Sequence, residues 1–421
     1  MKWYQKIERK IKTAKKKIKN SVLKFIFIKK IKKIIASGQK HVDFAFLTPL
    51  PPAKTGTGLY AVKVYQHILD KMDFISDIYN TELYQETLSF VPEKYHNHIV
   101  PLCLKHIRNY NHVFLNIGNN SFHIPYMKYG IETKGQMHRY IVLCETQICG
   151  MLYDYYESNG IDFINILKKY YPERIIRTEE LSADFWGTLR KLNIFGIRIL
   201  IDLTGVNHFV LYRNVGKELL LADIQGTEYE KGIKITVIPM GVEKISPFPA
   251  LIPLEKQGYN IGSFGIASDM KQTDKVINAV NILEKRGEKI TLWLCGYEIS
   301  KYAEKFDSSN LCIIENVSYD KLLSIMASVD LAVQLRQFSN GESSGCITEL
   351  IALNKNFIAS ENLFEPHFRE AGVSVFENCT AEELADVILS ELKNRTVRNN
   401  SKILENYSFK NTAEKLTQLV Q

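Results

Sequence analysis

Acid is almost missing from the first 40 residues of this 421-residue chain, where Glu8 stands alone against fifteen Lys or Arg, a balance of +14. The whole chain sums to +8, so everything after residue 40 sums to −6 and the basicity belongs to one arm. Cysteine is sparse and unpatterned. Its seven copies (Cys103, Cys144, Cys149, Cys295, Cys312, Cys346, Cys379) are odd in number, with no CxxC pair and no His/Cys cluster at zinc spacing. That argues against a disulfide framework and a structural metal, and points to a reducing cytosol. Long apolar runs are lacking in the arm, where lysine interrupts every run before it exceeds four residues. Neither a transmembrane span nor a signal-peptide core fits such a segment. No internal repeat stands out, and the arm is the one low-complexity stretch.

What remains is a globular composition, 45% hydrophobic and 24% charged, in a chain too long for one ordinary core; two domains are expected. In the arm, Trp3, Ile7, Ile11, Ala14, Ile18, Val22 and Phe25 follow three- and four-residue steps with lysines between them. This predicts a basic amphipathic helix over residues 1–40 that lies on a membrane without crossing it. Each lysine near an anionic leaflet contributes about 1 kcal/mol. A solvated or nucleic-acid-binding arm would carry the same charge, but the Trp, Phe and Ile face favours an anionic membrane surface as partner, with no nucleic acid.

The stretch most informative about chemistry is Leu331 to Ser360. Leu331–Leu335 and Asn356–Ser360 are short apolar runs, and between them Cys346, Ile347, Leu350, Ile351 and Leu353 recur at helical spacing. The pattern predicts a strand, a loop, a helix and a second strand. Ser343 and Ser344 stand where helix caps stand, Gly345 lets a ligand approach the backbone, and the helix N-terminus offers free N–H groups to an anion. Arg336 would add a guanidinium suited to phosphate, and Glu342 a carboxylate that could accept hydrogen bonds from sugar hydroxyls. Glu342 could equally stabilise the helix dipole, and Arg336 could be a solvated loop charge.

"LRQFSNGESSG" followed by "ELIALNKNFIAS" resembles the donor-binding signature of retaining GT-B glycosyltransferases of family 4, an α/β class with two Rossmann-like domains facing a central cleft. Many members place a second glutamate eight residues after the first. Here Leu350 holds that position and Glu349 comes one residue early, about 100° away around the helix axis. The first strand, Val42–Leu47, runs into Thr48-Pro-Leu-Pro-Pro-Ala-Lys-Thr-Gly-Thr-Gly58 and a helix expected from about Leu59 to Met72. Strand, glycine loop and helix open a Rossmann-like domain, although an ordinary turn would also explain the glycines. The wording is similar to the first loop of the family, whose glycine approaches the donor diphosphate; Gly56 is the nearest match, with Gly58 next. In the second domain YNIGSF is followed by Gly265 and, at Ile266, by no arginine such as family members commonly have; Lys271 is kept. The resemblance thus implies Lys271 and Arg336 on the diphosphate, Glu342 orienting the donor sugar, and Gly265, Ser343, Ser344, Gly345 and Glu349 in donor binding.

The segment from His112 to Cys149 holds the strand VFLNIG, then Asn119-Asn120-Ser121-Phe122-His123, then a strand from Tyr140 to Leu143. It resembles the family pattern in which an Asn-rich strand end and a later His-Asp pair line the acceptor cleft. At the second place this chain has Cys144-Glu145. The implied acceptor residues are Asn119, Asn120, His123 and Glu145, and His123 could instead be a loop-capping histidine. Between Ile161 and Ile201 helix and strand are expected to alternate. ITVIPMGV is like the last strand of the first domain, and Pro247, Pro249 and Pro253 mark a linker. The organisation that the resemblance implies is an arm (1–40), an acceptor domain (41–248), a donor domain (249–400) and, from Tyr407-Ser408-Phe409 and the helical pattern after it, a C-terminal helix (401–421) crossing back to the first domain.

With no Mg²⁺-holding DxD motif in view, no metal or other cofactor is expected; a nucleotide-diphospho-sugar is the co-substrate and cations serve its leaving group. The resemblance implies retention of configuration. Joined to the arm, it suggests a peripheral enzyme on the cytoplasmic face of the cell membrane with a lipid-linked saccharide or glycolipid acceptor, in surface-polysaccharide synthesis. Rival outcomes are a non-catalytic membrane-bound subunit, suggested by Cys144, Ile266 and Leu350, and a sugar-nucleotide epimerase of the same fold.

Overall fold

The computed structural model describes residues 22, 25–27, 29, 42–53, 55–102, 110–136, 138–246, 248–254, 258–297, 299–300, 310–394 and 398–420. Most of the 1–40 arm, Cys103 and the linker's Pro247 lie outside the described residues. The chain divides into two compact units, one running through Ile238 and taking in the last residues from Ala413, the other from Pro239 to Thr412.

In the first unit seven strands, β1 (Phe44–Leu47), β2 (Met72–Ser76), β3 (Ile99–Pro101), β4 (His112–Ile117), β5 (His138–Leu143), β6 (His208–Leu211) and β7 (Lys234–Val237), form one sheet in the order β3-β2-β1-β4-β5-β6-β7. Every pairing is parallel. Parallel strands need crossovers that cover both sheet faces, so the central strands read as continuous apolar runs. Phe46 pairs with Phe74 on one side and Phe114 on the other, and all three are buried. The second unit repeats the plan with β8 (Tyr259–Phe264), β9 (Ile290–Gly296), β10 (Leu311–Glu315), β11 (Leu331–Gln334), β12 (Phe357–Ser360) and β13 (Val373–Val375), in the order β10-β9-β8-β11-β12-β13. One face of this sheet packs on Val276, Val280 and Leu283 of the Thr273–Lys285 helix, with Leu384 and Ile388 of the Ala381–Asn394 helix. The other face packs on Ile347, Leu350 and Ile351 of the Gly345–Ala352 helix, with Met326.

Two sequence expectations change. The helix expected to reach Met72 spans Gly56–Tyr65 and tightens into a 3₁₀ turn at Gln66–Ile68. Met72 instead starts β2, paired with Phe44. Apolar spacing continues past Tyr65, and it is sheet pairing that claims Met72. From Ile161 to Ile201 the described structure has helices and no strand. The β-branched run after Ile194 becomes the Ile197–Thr204 helix because Gly196 (φ +88°) and Gly205 (φ +67°), both left-handed, bracket it.

A buried polar knot holds this helix. Asp223, fully buried, accepts the Tyr171 hydroxyl at 3.0 Å on both oxygens and the Phe195 N–H at 2.6 Å. Arg198 reaches its main-chain oxygen at 2.8 Å and stands 3.8 Å from its carboxylate. Burial pushes the Asp223 carboxyl up to about 6 against the opposing pull of the Phe195 amide and Arg198.

Candidate functional site

In each sheet the strand order reverses between the unit's first strand and its fourth, at β1/β4 and at β8/β11. Chains leaving adjacent strand ends there turn opposite ways and open a crevice at the carboxyl edge, where ligands bind in open α/β sheets. In the second unit β8 and β11 pair only at Leu331 with Ile261 and Ala332 with Gly262, then diverge. Gln334 bridges the gap: with its amide nitrogen toward Phe264 O (3.2 Å) its oxygen accepts from Phe264 N (2.8 Å). No motif marks this residue, because its role exists only once the strands part.

Past the end of β8, Gly265 sits at φ +103°, and a Cβ there would collide with Lys271 Nζ. A single-turn 3₁₀ helix, Asp269–Lys271, capped by Ser268, turns Lys271 back so that Nζ donates to Phe264 O at a long 3.4 Å. That is its one hydrogen bond among the described residues. Burial lowers the Lys271 pKa and Arg336 pushes the same way, while Cys346 and Glu342 oppose. Cys346, in the first turn of the facing helix, also points at Phe264 O, with Sγ at 3.7 Å, and burial raises its thiol to about 11.

From the end of β11 comes Arg336. Its main chain is fixed by Ser360 Oγ (2.8 Å, accepting from N) and Asn362 Nδ2 (3.1 Å, donating to O). Its Nε lies 3.2 Å from Glu342 Oε1, yet the N–H is not directed at that oxygen, and the buried Nε has no acceptor in line. The guanidinium makes no hydrogen bond to any described residue. Glu342 is held by the Asn340 N–H at 2.6 Å and Ser339 Oγ at 3.5 Å. Gln337 N donates to Met270 O at 2.8 Å, tying the two crevice loops together. Ser344 caps the Gly345–Ala352 helix, accepting from Ile347 N, and Ser343 donates to Glu365, a buried carboxylate that the sequence did not single out. Space beside Gly345 is open.

Glu349 stands one turn below Gly345 on the same helix face and accepts from the Tyr319 hydroxyl. Leu350 is fully buried in the core, so an acid at that position would lie in apolar packing. Thus Gly265, Lys271, Arg336, Glu342, Ser343, Ser344, Gly345 and Glu349 belong to one unit and gather round one crevice. Two cations with unused donors and a helix N-terminus are groups whose chemistry suits an anion.

The first unit builds a separate crevice. Asn116 donates to Thr48 Oγ1 (2.8 Å) and accepts from Cys144 Sγ (2.9 Å). His123 Nδ1 lies 2.8 Å from Asn116 O, so that nitrogen carries the proton and Nε2 accepts from Thr57 Oγ1 at 3.3 Å. Thr55 in turn donates to Thr57 at 2.8 Å. Burial pushes His123 down to about 4, keeping it neutral. With no exposed surface and both nitrogens engaged, His123 anchors the start of the Gly56–Tyr65 helix and does not reach a ligand itself. Gly58 is needed for close approach, since a Cβ would stand 2.6 Å from Pro49 O, whereas Gly56 faces open space. Asn120 caps the 3₁₀ turn Ser121–His123. Asn119 and Glu145 meet, Asn119 N donating to Glu145 Oε1 at 3.2 Å. Gly56 and Gly58 therefore belong to the unit of the acceptor-side residues, apart from the other expected donor residues. Among the described residues no three His, Cys, Asp or Glu side chains come together to hold a metal ion.

No protein-family model matches the chain, and no curated protein matches its sequence. Solved structures do match. HepE of Anabaena, in complex with UDP and glucose, is 12% identical, with 90% of this chain and 99% of that one covered at a TM-score of 0.60. Sucrose-phosphate synthase from Thermosynechococcus elongatus is 11% identical, covering 90% and 98% at 0.58. A glycosyltransferase from Rickettsia africae is 14% identical, covering 90% and 98% at 0.58. At these identities the likeness is one of fold: the chain has the GT-B fold, with two Rossmann-like parallel-sheet units.

Proposed function

We propose that this chain is a retaining glycosyltransferase of the family 4 type, moving a sugar from a nucleotide-diphosphate donor to a lipid-linked saccharide or glycolipid in surface-polysaccharide synthesis. The observation that carries it is the pair Lys271 and Arg336, two cations with unused donors at the β8/β11 crevice. HepE was solved with UDP-glucose, which supports a uridine diphosphate donor on the same fold.

Breaking the bond between sugar C1 and the diphosphate leaves the electron pair on the leaving oxygen. Lys271, Arg336 and the N–H groups at Gly345 and Cys346 stabilise that charge electrostatically, so these cations take the part a metal would otherwise play. Glu342 orients the donor sugar. The acceptor hydroxyl attacks C1 from the side the diphosphate leaves, its proton passing to the leaving phosphate oxygen, which retains configuration. Asn119 and Glu145 of the first unit hold the acceptor.

The lipid part of the proposal rests on the basic arm. An enzyme held on the anionic inner leaflet of the cell membrane gains most from an acceptor confined to the same surface, because confinement raises their effective concentration. Ile266, half exposed where the resembling family has arginine, favours the non-catalytic binding subunit as the second reading. A labelled sugar-nucleotide panel offered to membranes of the source cell with purified protein, followed by organic extraction, separates the two. Label should enter the lipid fraction with wild type and not with Glu342→Ala. Label only in water-soluble products would replace the acceptor, and no transfer from any donor would favour the binding subunit.

A further inference from the structure

Glu342 stands 3.2 Å from Arg336 Nε but off the line of its N–H, so the place of the guanidinium is set chiefly by its main chain. That main chain is gripped on both sides, its N–H by Ser360 Oγ at 2.8 Å and its oxygen by Asn362 Nδ2 at 3.1 Å. Asn362 lies in the turn after β12, and its own N–H donates to Glu377 Oε1 at 2.8 Å. Glu377 follows β13, and its main-chain oxygen accepts from Gln272 Nε2 at 2.9 Å and from Lys275 Nζ at 3.0 Å. Gln272 is the residue after Lys271. The circuit closes where Gln337, the residue after Arg336, donates its N–H to Met270 O. It crosses the carboxyl ends of β8, β11, β12 and β13, four neighbours in the sheet, and passes through the backbone beside both cations.

This circuit is held at a cost that simple packing would avoid. Gln272 Oε1 and Asn362 Oδ1 are buried with no partner among the described residues, and Gln272 adopts a left-handed φ of +48°. Buried polar atoms are normally paired, and residues with a side chain normally avoid that backbone. Turning either amide over would set its oxygen against the carbonyl oxygen it now donates to. Each side chain is committed to its donor end. We infer that Glu377 is a positioning residue: its carboxylate, acting through Asn362, sets Arg336 in register with the turn that carries Lys271. The inference deepens the transferase proposal and rests on it for the use made of the two cations. The brace itself is tested without any ligand.

Hydrogen exchange at the Arg336 and Gln337 amides is followed in the ligand-free full chain. Glu377→Ala and Asn362→Ala should each speed it by about tenfold, and Glu377→Gln, which keeps an acceptor oxygen, by less than about threefold. In calorimetry each alanine variant should weaken UDP by roughly three- to tenfold, and Glu377→Gln should recover most of the loss. Placed on Arg336→Ala, neither alanine variant should weaken UDP further, because a residue that acts through Arg336 has nothing left to set. A brace that merely stabilised the loops would lower affinity in both backgrounds. Unchanged exchange in the two alanine variants, unchanged UDP affinity, or a further loss on Arg336→Ala would each overturn the inference. If exchange responds while wild type binds no UDP, the brace stands and the nucleotide-sugar reading falls.

Discussion

Lys271 and Cys346 converge on one carbonyl, that of Phe264, with Nζ at 3.4 Å and Sγ at 3.7 Å. A single long hydrogen bond is poor solvation for an ammonium, and burial accordingly lowers its pKa. A diphosphate would supply the missing acceptors and raise it again. Below the free-site pKa the lysine is already charged, so UDP affinity should be flat. As pH rises through that value, binding should take up a proton and weaken. Calorimetry at alkaline pH, in buffers of different ionisation enthalpy, should show uptake with wild type and none with Lys271→Ala. Equal heats for both proteins would remove Lys271 from the anion site.

Arg336 tests the same site from the other loop. Arg336→Ala and Lys271→Ala should each weaken UDP binding by about 10- to 100-fold, the usual range for one charge-assisted hydrogen bond. Both losses should shrink as salt rises, because part of the attraction is screened. Unchanged affinity in both variants would refute the assignment.

Gly265 has two reasons to be glycine, its φ of +103° and the Lys271 Nζ lying where a Cβ would go. Gly265→Ala should therefore displace Lys271 and weaken UDP binding at least as much as Lys271→Ala. The thermal midpoint should fall only by the few degrees that about 1–2 kcal/mol of backbone strain implies. Wild-type UDP affinity in Gly265→Ala would show that Lys271 does not need the bare backbone.

Asp223 makes stability depend on pH in the first unit. Burial pushes its carboxyl up to about 6 in the fold, above the ordinary 3.8, so the folded state binds more protons between those values. The stabilisation is fully present below about pH 4 and is lost as pH rises through 6, a change on the order of 3 kcal/mol. Wild type should lose stability over that window relative to Asp223→Asn, measured by urea unfolding at several pH values. Parallel curves for the two proteins would show that Asp223 titrates normally.

How much was legible follows from where each signal lies. Strands β8 and β11 are apolar runs ended by glycine or by the crevice loops, and the sequence marks them within a residue or two. β2 was hidden because Asp73 interrupts its apolar run; the carboxylate is fully buried there, answered by His98 at 3.0 Å and Tyr110 at 2.8 Å. β3, at three residues, is too short to show a period. Site residues on one loop, such as Glu342 to Gly345, could be read together. Lys271 with Cys346, or Glu377 with Asn362, meet only through tertiary packing, and nothing in the spacing of either pair announces it.

The arm can be tested from its few described residues. Val22, Phe25 and Ile26 are more than half exposed, whereas Phe27 is buried, its ring 6.2 Å from that of Tyr84. Positions 22, 25, 26 and 29 share one helical face, and Lys29 Nζ lies 5.3 Å over the Phe25 ring. Phe27 thus fastens this turn to the first unit while the apolar face with its lysine stays outward, a pattern suited to the interface of an anionic bilayer. Among the described residues no helix is long and apolar enough to cross a membrane. The intact chain should float with phosphatidylglycerol vesicles and only weakly with phosphatidylcholine ones, and a chain beginning at His41 should float with neither. Charge attraction fades within a Debye length of about 3 Å at 1 M salt, whereas insertion does not. The triple variant Val22→Ser, Phe25→Ser, Ile26→Ser should therefore float at low salt and fall off at high salt, where wild type is partly retained. Equal flotation of the intact and shortened chains would take the membrane out of the proposal and leave a soluble acceptor as the expectation.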